Sequence, residues 1–138
     1  MPAFEFAPHG EFSVRIDDRI LDLHTRGPWN RELIELFTKD VLAMVRQLQG
    51  APWAVLATVS GEGMHTPDSY AAMIEGIRWQ RARGRCATAV VFDQVFAANT
   101  ARRILERMYA EAGEPVRFFD ASEPARVWLE TQITRISN

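Results

Sequence analysis

An α/β fold built on a mostly parallel sheet is what this sequence predicts, and three observations predict it. Two segments, Trp53 to Val59 and Cys86 to Phe92, are apolar at nearly every position, as in strands covered on both faces. Segments with apolar residues at helical spacing alternate with them along the chain. A single pair of short alternating segments near the start, Phe12 to Ile16 and Ile20 to His24, reads as a β-hairpin turned at Asp17-Asp18.

Residues 1–11 form an N-terminal arm, in which Phe4 and Phe6 alternate as in an extra edge strand and Pro8-His9-Gly10 makes a turn. Gly27-Pro28-Trp29-Asn30 closes the hairpin region. Asn30 caps a first helix over about 30–49, with Leu33, Phe37, Val41, Met44 and Leu48 on one face and Gly50 as its stop. The strand Trp53 to Val59 runs into a glycine-bearing loop that ends at Thr66-Pro67. There Thr66 is placed to cap a second helix, about 67–83, and Pro67 takes its first position. Tyr70, Met73, Ile74 and Ile77 line that helix, and Gly84 ends it. After the strand Cys86 to Phe92, a third helix spans about 97–112 with Ala101, Ile104, Leu105 and Met108 inward and Gly113 as its stop. Val116 to Phe119 is a short strand. Ser122 caps a last helix, about 123–136, with Pro124 in its first turn and Trp128, Leu129 and Ile133 on its buried face. The order is β-β-α-β-α-β-α-β-α over one domain, 1–138. Right-handed crossovers make the last four strands parallel and leave the first antiparallel at an edge.

Composition narrows the function classes. A formal net charge of −2 argues against a nucleic-acid binder that works by charge alone. Residues 1–74 are acidic on balance. The span 75–107 is basic, and Lys39 is the only lysine of the chain, so nearly all its basic residues are arginines, a preference that composition bias explains more simply than phosphate binding. Cys86 is the only cysteine, so no internal disulfide or cysteine-based metal cluster is expected, and its place in a strand suits an inert core thiol. The N-terminal residues lack the basic and apolar runs of a signal peptide, and no apolar run is long enough to span a bilayer. A cytoplasmic protein is the expectation.

The element order, the small size and the strand–loop–helix joint at 53–68 resemble the STAS domain, the SpoIIAA-like fold of anti-sigma factor antagonists. The segments His9-Gly10-Glu11-Phe12, Gly27-Pro28-Trp29-Asn30 with Glu32 and Phe37, and Trp128-Leu129 look like bacterial SpoIIAA-like proteins of unknown function. The resemblance covers nearly the whole chain. It implies a regulatory module, and in the antagonists a serine at the start of the helix after the central strand is phosphorylated within an Asp-Ser-Ser/Thr-Gly motif. That motif is absent here. Thr66 holds the similar helix-start place, and Ser60 and Ser69 are weaker substitutes. The likeness of some such proteins to the lipid-binding CRAL-TRIO fold implies apolar ligands, as a fold analogy only.

Candidate chemistry gathers at the carboxyl ends of the strands, where parallel sheets place their sites. Ser60, His65 and Asp93 supply the residue types of a nucleophilic triad, without the G-x-S-x-G elbow or a usual chain order. Gly61-Glu62-Gly63 opens like a phosphate loop but lacks the third glycine and the Gly-Lys-Ser/Thr, so no cofactor is expected. Asp68 in the first turn of the second helix would repel an anion there. His24 and His65 meet only if their strands are neighbours, and a metal would need a further ligand such as Asp93 or Asp120; no metal is expected. Trp29, in a Gly-Pro turn, is the tryptophan best placed to line a pocket. Trp79 falls among arginines and suits stacking on a guanidinium.

The functional expectation is a non-enzymatic binding or regulatory module. Trp29, Ser60, His65, Thr66, Asp93 and Phe96 line its carboxyl-edge cleft, which takes a small apolar or amphipathic ligand or a protein partner. A homodimer through a leftover strand edge or helix face is compatible with so small a sheet. The alternatives are a phospho-switched signalling protein with Thr66 or Ser60 as acceptor, and a hydrolase using Ser60 and His65.

Overall fold

The first two strands of the chain are β1 (Glu11–Asp17) and β2 (Ile20–Trp29), paired antiparallel from Glu11↔Arg26 to Asp17↔Ile20. Asp18 takes a left-handed φ of 56° in the turn between them. Then follow α1 (Arg31–Leu48), β3 (Trp53–His65), α2 (Pro67–Arg81), β4 (Arg85–Phe96), α3 (Ala98–Ala112), β5 (Val116–Phe119) and α4 (Ser122–Ser137). This computed structural model describes residues 10–137; the arm strand expected at Phe4 and Phe6 and the turn at His9 lie outside them. The order of elements and the mix of one antiparallel and three parallel pairings are as the sequence predicts.

The five strands lie side by side in chain order, β1-β2-β3-β4-β5. A right-handed crossover between adjacent parallel strands puts its helix on a fixed side of the sheet. With no reversal of strand order, α1, α2 and α3 must share one face. Two apolar clusters fill the space beneath them: Leu23, Leu33, Phe37, Val41 and Val55 under α1, and Val59, Ile77, Val90, Leu105 and Met108 under α2 and α3. The last helix has no further strand to reach and is free of that rule. It folds over the other face, where Ala125 and Leu129 are fully buried against Ile20, Ala54, Leu56, Ala89 and Val91. No described helix is long and apolar enough to cross a membrane.

The central strands run further than the sequence predicts. The stretch 60–65, expected as a loop, is the end of β3; Gly27 to Trp29 ends β2, and Asp93 to Phe96 ends β4. Glycines that read as breakers serve close approach instead. A Cβ on Gly27 would lie 1.8 Å from the Glu62 carbonyl oxygen, and one on Gly63 would lie 2.8 Å from Ala101 Cβ. At Gly61, φ is +70° and the β3–β4 register shifts, as at a bulge. The caps are where the sequence puts them: Asn30 Oδ1 accepts from Leu33 N at 3.0 Å, and Thr66 Oγ1 accepts from Ser69 N at 3.3 Å.

Candidate functional site

The residues expected to share a carboxyl-edge cleft are divided between the two faces of the sheet. Trp29 is only 5% exposed and belongs to the core rather than to a pocket wall. It stacks on Phe12 at 6.5 Å and on His65 at 5.8 Å, and meets Phe37 edge-on at 5.6 Å. Burial lowers the His65 pKa from 6.5 to about 4, so the ring is neutral at ordinary pH. Its Nδ1 lies 3.3 Å from Ser69 Oγ. The Ser69 hydroxyl donates to a carbonyl, either Thr66 O at 3.0 Å or Trp29 O at 3.3 Å. With the hydroxyl proton so used, the neutral imidazole can donate from Nδ1 to the Ser69 oxygen. Together, His65, Ser69 and Trp29 tie the end of β2 and β3 to the start of α2.

Thr66 is engaged in capping. Its hydroxyl donates to Asp68 Oδ1 at 2.6 Å while it accepts from Ser69 N. This bond holds the Asp68 carboxyl below the usual carboxylate range, so a negative charge already sits at the N-terminus of α2.

Ser60 and Asp93 lie on the opposite face, under no helix. They share a basin of about 380 Å³ with His24, Arg26 and Thr58, and Ser60 Oγ donates to Thr25 O at 3.3 Å. The triad of Ser60, His65 and Asp93 is therefore not assembled: its serine and histidine are on different sides of the sheet. His24 pairs in register with Thr58 and His65 with Trp29, beyond a register shift, so the two histidines stand at different levels of the β2–β3 ladder. No group of three metal-ligating side chains occurs among the described residues. His24 instead approaches the buried Asp22 at 3.5 Å, a carboxylate that also accepts from Arg15 at 3.1 Å. Phe96 is 74% exposed at the tip of β4.

The topology explains why these residues do not converge. In open α/β sheets a crevice forms where strand order reverses and successive helices leave to opposite faces. Here the order never reverses between β2 and β5.

An apolar groove of about 440 Å³ lies instead on the helical face, between α1 and α2. Ile34, Phe37, Val41 and Leu42 form one wall, and Ala72, Met73, Gly76, Ile77 and Trp79 the other. It exists because Ala72 and Gly76, one helical turn apart, bring no bulk to the contact with α1. A Cβ on Gly76 would meet no atom within 4 Å. The backbone there is ordinary helix, so neither φ nor crowding requires glycine, which costs about 1 kcal/mol of helix stability relative to alanine. Trp79 stands 39% exposed at the rim, its ring covered by the Arg83 guanidinium at 3.8 Å.

At the inner end of the groove are Gln80 and Arg85, 7% and 6% exposed. Arg85 donates from Nε to Glu114 Oε2 at 2.7 Å, from Nη1 to Gln80 Oε1 at 2.7 Å and from Nη2 to Thr88 Oγ1 at 2.8 Å. Arg81 reaches Glu114 Oε1 at 3.1 Å, and Thr88 also donates to Glu114. The fully buried Glu114 carboxylate is thus met by two guanidinium groups, the arrangement a buried charge needs. Cys86 is buried nearby, and burial pushes its thiol pKa up, away from reactivity.

The sequence reading missed this groove. A signal was present in Ala72 and Gly76, small residues at i, i+4 inside a helix that otherwise carries bulky ones. Comparison with protein-family models, with curated proteins and with solved structures finds no match.

Proposed function

We propose that this protein is a small non-enzymatic binding module that takes an apolar or amphipathic small molecule between α1 and α2. The observation that carries the reading is Gly76: a mid-helix glycine, unneeded by the fold, facing open space in an apolar groove. The volume of about 440 Å³ falls within the usual range of small-molecule sites, about 300–1,000 Å³. The division of Ser60 from His65 favours binding over hydrolysis.

The test is titration with the dye 1-anilinonaphthalene-8-sulfonate, read by its fluorescence, on the parent chain and on Gly76→Leu. The new side chain adds bulk to the groove without crowding its own backbone. Binding is expected to weaken at least about tenfold, the equivalent of 1.4 kcal/mol. Equal affinity in the two proteins would overturn the reading. Ser60→Ala should bind the dye like the parent.

A further inference from the structure

The open sheet has two edges, β1 and β5, and they are unequally protected. β5 has four residues, and guanidinium groups cover its rings, Arg102 over Phe118 at 4.6 Å and Arg117 over Phe119 at 5.4 Å. Short, charged edges resist pairing with another chain. β1 has seven residues, keeps an unbroken register with β2 and contains neither proline nor lysine. Among the described residues no strand lies on its outer side. Its apolar residues Phe12, Val14 and Ile16 pack against the α1 core yet stay only half-buried. This edge therefore leaves apolar surface uncovered beside a row of unpaired backbone groups.

The other face of β1 shows what fits there. Charges alternate in sign across the hairpin. Arg15 lies opposite Asp22, which it binds at 3.1 Å, and Glu11 lies opposite Arg26. A two-fold dimer sets the same patch of both copies against itself. With the axis perpendicular to the sheet, each residue meets one whose side chain is on the same face. We infer that two copies of this chain join antiparallel along β1, with the axis at Ser13. Glu11 then meets Arg15 of the partner subunit, and Arg15 meets Glu11 of the partner subunit. The signs run Asp22, Arg15, Glu11 of the partner subunit, Arg26 of the partner subunit, negative and positive in turn across both hairpins. On the α1 face, Phe12 is covered by Val14 of the partner subunit. An axis at Val14 would instead set Glu11 against Asp17 of the partner subunit, and an axis at Arg15 would set that residue against its own copy. Like charges directly opposite disfavour both.

The test is sedimentation equilibrium over a dilution series from millimolar concentration, with circular dichroism to confirm folding. The parent should dimerise. Glu11→Arg turns both cross-axis pairs into like charges and should weaken the dimer at least about tenfold. Glu11→Arg combined with Arg15→Glu in one chain should restore it, as should an equimolar mixture of the two single variants. Arg15→Glu also gives up the contact with Asp22, so Ser13→Cys supplies a reading that does not depend on it. Placed on the axis, this cysteine should link two chains under mild oxidation, and Asp17→Cys should not. A parent that stays monomeric at millimolar concentration, whether the edge is bare or taken by residues before Gly10, would overturn the inference. So would Glu11→Arg associating as the parent does, a folded double variant that stays weak, or equal cross-linking through Ser13→Cys and Asp17→Cys.

Discussion

His65 does structural work that depends on its being uncharged. It is pressed against Trp29 at 5.8 Å, and its Nδ1 lies 3.3 Å from the Ser69 hydroxyl. Burial lowers its pKa from 6.5 to about 4, so the folded state resists a proton that the unfolded chain accepts. The sign follows from linkage: where the unfolded state binds more protons, stability rises with pH. The contribution of His65 is complete above pH 6.5 and is lost progressively as pH falls towards 4. At 1.36 kcal/mol per pKa unit, the full loss is about 3 kcal/mol. His65→Gln keeps a polar group near Ser69 and does not titrate. Urea unfolding at about pH 7 and about pH 4.5 should show a smaller loss of stability in the variant than in the parent. Identical losses would mean that other groups carry the acid sensitivity. The same burial disqualifies His65 as a general base near neutral pH, whatever lies beside it.

At the scale of the element, α2 has two distinct ends and an anomalous middle. Thr66, Pro67 and Asp68 fix its start, and all three were legible in the sequence because capping depends on residues adjacent in the chain. The middle is where Gly76 leaves the helix weaker than it need be. Gly76→Ala fits the helical backbone and meets nothing within 4 Å, so it should raise stability by about 0.5–1 kcal/mol. A higher urea midpoint at unchanged slope would show it. A lower midpoint would mean that glycine is required there for a reason the packing does not contain. The sequence reading passed over Gly76 because a lone glycine in a helical pattern is tolerated, and its meaning lies in what faces it on α1. The strand ends were misjudged for a related reason. Gly27, Gly61 and Gly63 have the local chemistry of loops, while their use depends on Glu62, Arg26 and Ala101 from other elements. Trp29 looked like a pocket residue because it follows Gly-Pro. Its burial is decided by Phe12, Phe37 and His65, which the fold brings to it. Local information therefore gave the caps and strand cores, and non-local contacts decided the site.

For the whole molecule, strand order divides the labour between the two faces. Sequential parallel strands commit three helices to one side, where gaps between neighbouring helices become the natural cavities. The other side depends on α4, and beyond its reach the sheet presents Ser13, Arg15, His24, Arg26 and Asp93 to solvent. Such unequal cover raises the question of whether α4 melts by itself. The contacts argue against it. Leu129 is fully buried on strands β2 to β4, whose opposite surfaces form the floor of the α1–α3 core. Arg126 also binds Asp17 at 2.7 Å and thereby links α4 to β1. Removing α4 would expose one surface of strands that the other three helices need intact. Leu129→Ala should accordingly cost about 2–5 kcal/mol, as for a buried leucine elsewhere, and lower the midpoint of the entire transition. Near-ultraviolet dichroism, which reports tryptophan packing on both faces, should then coincide with far-ultraviolet dichroism in both the parent and the variant. Separate midpoints, with helical signal lost before the tryptophan environment on the α1 face, would identify α4 as an independent unit. Coincident midpoints would show that the sheet transmits the loss from one face to the other, so that a ligand held between α1 and α2 stabilises α4 as well.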